Sequence, residues 1–233
     1  MLVKIKVGVL RLQEFNLDTA QSQTKQEKIT YVTEQTADFQ EKRGYDFVKR
    51  LFDFMAALVL IVILALPMLI LMLIICVDSP GDPIFRQVRL GKAEKPFVLY
   101  KFRSMRQDAE TDGPKLAEEN DPRVTRIGRF MRETRIDELP QLVNILRGEM
   151  SFVGPRPERP EFYRIFDTYI PGFRRRMQVL PGLTGWAQVN GGYEIAPQDK
   201  LAFDIYYIRH RSSWLDVKCL FKTVHVVFKR KGR

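Results

Sequence analysis

The sequence predicts a mainly helical α+β protein with one re-entrant membrane helix, a small globular domain on the cytoplasmic face and amphipathic interfacial helices. Residues 54–77 form a long uncharged run, basic residues flank that run on both sides, and short strand-like and helix-like segments alternate after it. The 233 residues therefore divide into a polar amino-terminal arm (1–41), a membrane helix (42–78) and a membrane-associated globular domain (79–233).

The uncharged run reads FMAALVLIVILALPMLILMLIICV. About 20 apolar residues suffice for a helix to cross the hydrocarbon core of a bilayer. Many polar residues precede this run and no small-residue cleavage pattern follows it, which excludes a cleavable signal peptide. A fully buried core helix is the alternative, and the length of the run disfavours it.

The flanks of the run indicate its topology. Basic residues precede it (Lys42, Arg43, Lys49, Arg50) and follow it (Arg86, Arg89, Lys92, Lys95, Lys101, Arg103). Under the positive-inside rule both ends of the run favour the cytoplasm. A helix that enters the membrane and returns to the same face places both ends there. Pro67 supplies a bend because it lacks an N–H group. A simple kink at Pro67 in a spanning helix is the competing account.

Composition limits the partners. A net charge of +10 and a pI near 9.7 favour anionic lipid headgroups, nucleotides or phosphorylated substrates. No zinc-ligand spacing, dinucleotide-binding loop or helix-turn-helix pattern occurs in the sequence, so nucleic acid is not a predicted partner. Cys76 and Cys219 give no disulfide framework and fit a reducing compartment.

Several segments outside the membrane run have recognisable patterns. The arm opens with the alternating piece LVKIKVGVL, an edge strand or mobile arm, and residues 84–105 resemble a hairpin around Gly91-Lys92. Residues 106–120 are polar and predict a surface loop that could act as a lid. His210 and His225 have no metal-ligand spacing.

The stretch TRIDELPQLVNILRGEMSFVGPRP carries the chemistry. Asp137 and Glu138 stand together, and Pro140 and Gly148 predict a short helix over about 137–147. One carboxylate of such a pair can act as a nucleophile while its neighbour holds a divalent cation. The simpler interpretation is that the pair only stabilises a helix start through the helix dipole.

Cations near this pair are candidate phosphate ligands. Arginines recur every three residues from 123 to 135, and Arg129, Arg132 and Arg135 can share a third of a helical face. Lys101 and Arg103 face either a phosphate or solvent. Arg156 lies between two prolines in a stiff segment, which suits an anion clamp but also an ordinary extended loop.

Aromatic side chains alternate with basic ones in two later segments. Residues 160–177 interleave rings with Arg164 and the triplet at 174–176, as expected at a headgroup layer. Phe162, Phe166 and Tyr169 as ordinary core residues are the alternative. Residues 214–228 predict an amphipathic helix that ends in the basic residues 229–231.

Taken in order, these motifs resemble the bacterial sugar transferases, also called monotopic phosphoglycosyl transferases. The resemblance covers nearly everything after residue 42. It rests on KRLFD (49–53), SPGDPIFRQVRLGK (79–92), YKFRSM (100–105), DPRVTRIGRFMRETRIDELPQLVNILRGEMSFVGPRP (121–157), PGLTGWAQVNG (181–191) and YYIRHRSSWLDVKCLFKTV (206–224).

The resemblance implies an enzyme of the bacterial inner membrane that starts exopolysaccharide, capsule or other glycoconjugate synthesis. Such enzymes transfer a sugar 1-phosphate from a UDP-sugar to undecaprenyl phosphate and release UMP. It implies that Asp137 is the nucleophile of a covalent phosphosugar intermediate and that Glu138 binds Mg²⁺. Arg132 and Arg156 match phosphate-binding arginines, and Lys101 and Arg103 match a basic motif near the membrane.

Two departures and one competing function remain. Larger members have additional membrane spans ahead of this region, and many members carry an arginine where this chain has Gly192. The competing function is a non-catalytic, basic, membrane-anchored module that binds anionic lipid or a partner protein. The sequence leaves open the sugar, the glycan pathway and the oligomeric state, a homo-oligomer included.

Overall fold

The computed structural model describes residues 41–109, 121–191 and 195–228. The predicted arm, apart from Glu41, lies outside these residues. So do the central part of the predicted 106–120 loop, Gly192 and the basic residues 229–231. The elements below therefore belong to the membrane helix and the globular domain.

Helix α1, Arg43–Asp78, is continuous over 36 residues and contains Pro67. Within the described residues it is the one helix long and apolar enough to cross a membrane. Its apolar side chains face outward, and Val62, Leu66 and Val77 are 70%, 66% and 89% exposed. Because soluble proteins rarely expose so large an apolar surface, the predicted long apolar helix is confirmed and the buried core helix is excluded.

Both flanks of α1 contact the globular domain. Near its amino end, the Arg50 guanidinium donates to the carbonyl oxygens of Ile145 and Leu146 at 2.6 and 2.8 Å. The Asp53 carboxylate accepts from the Phe152 N–H at 3.2 Å. Near its carboxyl end, Ile75 joins a buried cluster with Phe102 and Met131.

The predicted hairpin is confirmed. Strands β1, Ile84–Leu90, and β2, Pro96–Phe102, pair antiparallel in a register that runs from Ile84 opposite Phe102 to Leu90 opposite Pro96. The turn contains Ala93 and Glu94 at positive φ. The Ile84–Phe102 end of the hairpin contacts α1 through the Ile75 cluster, so the opposite end points away from the membrane helix.

Helix α2, Arg126–Thr134, begins at the Thr125 hydroxyl, which accepts from the Gly128 N–H. A Cβ at Gly128 would lie 2.0 Å from the Ser104 carbonyl oxygen, so glycine lets α2 pack directly against the end of β2. The helix ends before Arg135, which adopts a left-handed conformation with φ 60°. The predicted common face of Arg129, Arg132 and Arg135 is therefore wrong for Arg135.

The predicted helix over 137–147 exists in two parts. A 3₁₀ helix, Ile136–Gln141, carries the acidic pair and leads into α3, Leu142–Arg147, which ends at Gly148 with φ 82°. Asn144 is fully buried. Its side chain donates to the Val98 carbonyl and accepts from the Tyr100 N–H, as a neighbouring strand would do. It therefore fastens α3 to β2.

The remaining elements complete a mainly helical α+β fold, as predicted. Strands β3, Ser151–Val153, and β4, Gly182–Thr184, pair in parallel. The helices are α4, Pro160–Asp167; α5, Trp186–Gly191; α6, Pro197–His210; and α7, Ser213–Phe228, with a 3₁₀ helix over Phe173–Gln178.

The expectation that residues 174–176 contact lipid is wrong for Arg176. Its side chain is fully buried and pairs with Asp204 of α6 at 2.6 Å. Phe166 also packs inward, with its ring 5.0 Å from that of Phe173. Tyr169 remains 49% exposed. The segment thus contributes Tyr163, Phe173 and Arg176 to the core, while Ile165 and Tyr169 stay exposed.

Helix α7 confirms the predicted amphipathic helix. Its exposed apolar side chains follow helical spacing along one side. They are Trp214, Val217, Phe221 and Val224. Asp216 and Cys219 lie elsewhere on the helix, where Asp216 accepts from Lys49, Tyr45 and Tyr207. The helix therefore has one face bound to the domain and α1, and an apolar face left open.

The buried pair predicts a large stability effect. Asp204→Asn should lower the free energy of unfolding by about 3–5 kcal/mol, because it leaves the Arg176 charge buried without its partner. Chemical denaturation in detergent measures this. The matched control is Arg43→Gln, which breaks an exposed pair with Glu41 and should change nothing measurable. Equal effects of the two substitutions would contradict the assignment.

Candidate active site

The acidic pair lies where three segments meet. Asp137 and Glu138 sit on the 3₁₀ helix, Lys101 is near the end of β2, and Arg156 is in the loop after β3. Both carboxylates are buried, at 6% and 7% exposure. Buried carboxylates need compensating cations or hydrogen bonds, and the surrounding side chains supply them unequally.

Glu138 is firmly held. Its Oε1 accepts from the Arg156 guanidinium at 2.6 Å and from the Lys101 ammonium at 3.0 Å, and its Oε2 is 3.4 Å from the second nitrogen of Arg156. Arg135 lies 3.9 Å away. Burial alone would raise the pKa of Glu138, but the charges of Arg156 and Lys101 outweigh it and hold that pKa well below its usual range. Glu138 is ionised.

Asp137 has a different environment. Burial raises its pKa, the negative charge of Glu138 adds to this, and the cations Lys101, Arg135 and Arg156 only partly oppose the rise. Within the described residues, no hydrogen bond fixes its carboxylate. A weakly hydrated carboxylate beside fixed positive charges is suited to attack an electrophile.

The structure brings four of the six predicted site residues together: Lys101, Asp137, Glu138 and Arg156. Arg132 instead contacts Ser104, and its Nε donates to the Ser104 hydroxyl at 2.9 Å. Arg103 does not join the group. Its guanidinium donates to the Pro80 carbonyl at 3.0 Å and to the carbonyl and hydroxyl of Ser79. It thereby anchors the segment that leaves the membrane helix.

Tertiary contacts hold the loop that carries Arg156. Arg176 donates to the Arg156 carbonyl at 2.9 Å, and Arg89 donates to the Pro157 carbonyl at 3.1 Å. The Leu90 N–H donates to the Glu158 carbonyl at 3.2 Å. The predicted stiffness of the Pro155–Pro157 segment is thus reinforced from two sides, and the guanidinium of Arg156 is fixed against Glu138.

Arg135, one of the predicted candidate phosphate ligands, reaches Glu138 from a left-handed backbone conformation and not from the predicted helical face. Sequence reasoning missed two contributors. Asn144 sets the distance between β2 and the 3₁₀ helix. Arg176 supports Arg156 from within the core, and its position in a basic triplet favoured an exposed location instead. In each case the role of the residue follows from contacts between segments that are distant in the sequence, which local sequence patterns do not reveal.

The site fits a divalent cation only together with substrate. The described residues contain no cluster of three or more His, Cys, Asp or Glu side chains arranged for a metal. Mg²⁺, however, is commonly held by one or two carboxylates plus substrate phosphates. Glu138, with Asp137 adjacent, offers that donor set, although both Glu138 oxygens face Arg156 in this arrangement.

Comparison with known proteins identifies the family. Residues 44–230 match the family model described as bacterial sugar transferase. The chain belongs to the bacterial sugar transferase family. Among its relatives in this family, it is 45% identical over 186 residues to the UDP-N-acetylgalactosamine-undecaprenyl-phosphate N-acetylgalactosaminephosphotransferase of Aeromonas hydrophila, covering 78% of this chain and 44% of that protein.

Two other bacterial sugar transferases extend the comparison, both named UDP-glucose:undecaprenyl-phosphate glucose-1-phosphate transferase. The Caulobacter vibrioides protein is 43% identical over 186 residues, covering 77% of this chain and 69% of that protein. The Escherichia coli protein is 39% identical over 190 residues, covering 79% of this chain and 41% of that protein. The chain therefore spans less than half the length of the Aeromonas and Escherichia relatives.

Proposed function

We propose that this chain transfers a sugar 1-phosphate from a UDP-sugar to undecaprenyl phosphate and releases UMP. The observation that carries the proposal is the buried pair in which Lys101 and Arg156 hold Glu138, while none of the described residues donates a hydrogen bond to the Asp137 carboxylate. The names of the Aeromonas, Caulobacter and Escherichia relatives support the substrate class. Such a step initiates exopolysaccharide, capsule or other glycoconjugate synthesis.

The proposed mechanism has two displacements. In the first, a carboxylate oxygen of Asp137 attacks the sugar-bearing phosphorus, and the bond to the bridging oxygen breaks so that its electron pair leaves with UMP. In the second, a phosphate oxygen of undecaprenyl phosphate attacks the same phosphorus and frees Asp137. An acyl phosphate is reactive enough to be passed on in this way.

The cations make the first attack feasible. A carboxylate and a diphosphate repel each other, so positive charges must already stand where negative charge accumulates. Lys101 and Arg156 provide two such charges beside the pair, and Arg132, which bonds to Ser104, is a third candidate. Glu138 fixes the first two in place, which avoids rearrangement during the reaction.

Glu138 is also the residue we assign to Mg²⁺, with Asp137 close by. When bound, the ion supplies further charge neutralisation for the diphosphate. Arg156 and Lys101 would then share the Glu138 carboxylate with the ion. The same fixed carboxylate thus orients both the cationic side chains and the metal.

Removing the nucleophile tests the mechanism. With Mg²⁺ and a UDP-sugar but no lipid acceptor, the wild-type chain should release UMP and gain the mass of a phosphosugar on Asp137, detected by mass spectrometry of intact protein and peptides. Asp137→Asn should lose the adduct and lower turnover on the order of 10³-fold or more. The matched control is Asp167→Asn, an exposed carboxylate that pairs with Arg174.

Full activity in Asp137→Asn with no adduct on the wild-type chain would favour direct displacement instead. The competing non-catalytic module predicts neither UMP release nor any dependence on Asp137. The close grouping of Lys101, Asp137, Glu138 and Arg156 speaks against that module, because lipid attraction needs exposed cations rather than buried ones.

We also propose that α1 is re-entrant and that the globular domain rests on the cytoplasmic face of the bacterial inner membrane. A straight helix rises about 38 Å between residues 50 and 75. The two ends of this span contact residues of the domain that lie much closer together. Leu139 and Ile145 are only about 9–12 Å apart along their helical segments. Arg50 binds the Ile145 carbonyl, and Leu139 packs on the Ile75 cluster. A bend at Pro67 accommodates both contacts.

The open apolar face of α7 supports the same orientation. Trp214 and Phe221 are 77% and 74% exposed, and an amphipathic helix with such a face is stable in the interfacial plane of a bilayer. Helix α7 also carries Lys218 and Lys222, which lie over the Trp186 ring. Membrane lipids are therefore proposed partners of this helix.

Cysteine labelling tests the topology. In a background with Cys76→Ser and Cys219→Ala, the variants Gly44→Cys and Asp78→Cys place one thiol at each end of α1. Both thiols should react with a membrane-impermeant maleimide in inverted vesicles and stay protected in intact spheroplasts, because a re-entrant helix keeps both ends on the cytoplasmic face. Labelling of either position from the periplasm would show a spanning helix.

A further inference from the structure

A second group of cations lies beside the acidic pair, beyond Arg156. Glu158 is its centre. The Lys200 ammonium donates to Glu158 Oε1 at 2.8 Å, and the Arg89 guanidinium lies 3.6 Å from Oε2. The side chains of Arg89, Lys200 and Glu158 are only 18%, 23% and 12% exposed. The three residues come from β1, the start of α6 and the loop that also carries Arg156.

Positive charge exceeds negative charge in this group. Burial, with the like charges of Arg156 and Arg159, lowers the pKa of Arg89 to about 10 even though Glu158 and Glu138 oppose the change. The Arg89 Nε is buried and has no hydrogen-bond partner among the described residues, while its terminal nitrogens donate to the Pro157 carbonyl and the Gln87 side chain. Partly buried cations that crowd one another in this way favour a bound anion.

The hairpin indicates where this group lies relative to the membrane. Lys101 pairs with Phe85 next to the Ile84–Phe102 end, which packs on the Ile75 cluster of α1. Arg89 lies four residues farther along β1 on the same strand face as Phe85, which is about 13 Å away. Lys101 is therefore on the membrane-helix side of the site, and Arg89 is on the side away from it.

We propose that Arg89 and Lys200 form a second phosphate subsite that holds the nucleotide phosphate of the donor, with Arg156 between this subsite and the acidic pair. The inference rests on the proposed function. When the bond between the sugar-bearing phosphorus and the bridging oxygen breaks, that oxygen keeps the electron pair and becomes a terminal oxygen of UMP. Fixed cations at this position stabilise the charge it gains.

The location favours the water-soluble donor over the lipid acceptor. A polyprenyl phosphate keeps its chain in the bilayer and so approaches from the α1 and Lys101 side. The nucleotide has no such restriction, and its phosphate fits the distant cations. Glu158 then has a defined part: it holds Lys200 and Arg89 in place without neutralising the whole group.

UMP binding to the full chain in detergent or nanodiscs tests the subsite by calorimetry. Arg89→Gln and Lys200→Gln should each weaken UMP binding by about tenfold, because each removes one charge-assisted contact. Uridine, which lacks the phosphate, should bind all variants alike. The matched control is Arg86→Gln on the same strand, whose guanidinium pairs with the exposed Asp82 and should leave UMP binding unchanged. The KM for undecaprenyl phosphate should also stay unchanged in Lys200→Gln.

Unchanged UMP binding in both variants, or a rise in the KM for undecaprenyl phosphate in its place, would overturn the subsite. If Arg89→Gln does not fold, Lys200→Gln decides the question. Failure of the proposed function is separable. If UMP binding depends on Arg89 and Lys200 but the wild-type chain forms no Asp137 adduct, the subsite is supported and the proposed mechanism is contradicted. If the adduct forms but the two substitutions leave UMP binding unchanged, the mechanism is supported and the subsite is contradicted.

Discussion

The interaction of Glu138 with Lys101 and Arg156 connects three segments that are far apart in the sequence. The carboxylate sits on a 3₁₀ helix, the ammonium on a hairpin and the guanidinium in a loop, at distances of 3.0 and 2.6 Å. Each charge would be costly to bury alone. Together they keep Glu138 ionised and fix two cations beside Asp137, whose carboxylate has no hydrogen bond from the part of the chain that the structure describes. The proposed chemistry depends on this asymmetry.

The supports of this interaction extend to the membrane helix and to the core. Asn144 joins β2 to α3, and Gly128 lets α2 pack against Ser104, so the acidic pair and Lys101 keep their separation. Arg176, paired with Asp204, holds the Arg156 carbonyl from inside the domain. The hairpin meets α1 at its Lys101 end. Under the proposed function, a lipid phosphate and a soluble nucleotide reach the site from opposite sides.

Much of this fold was predictable from local patterns. The apolar run, the hairpin at Gly91, the helix ended by Gly148 and amphipathic α7 all follow from periodicity and from glycine and proline chemistry. Asp137, Glu138, Lys101 and Arg156 were predicted and lie together. Local patterns failed where a charge changes its role through tertiary contacts. Arg103 anchors the end of α1, Arg176 is a core residue, and Arg135 reaches Glu138 through a left-handed backbone, none of which has a sequence period.

Isotope exchange tests the central claim, that Asp137 accepts the phosphosugar before the lipid takes it. Purified chain is incubated with a UDP-sugar, labelled UMP and Mg²⁺, with undecaprenyl phosphate fully absent, and the label in the UDP-sugar is followed. Two displacements predict that label enters the UDP-sugar, because the first step reverses on its own, and that Asp137→Asn abolishes the exchange. Exchange that requires undecaprenyl phosphate, in a chain that completes the overall transfer, would contradict the account.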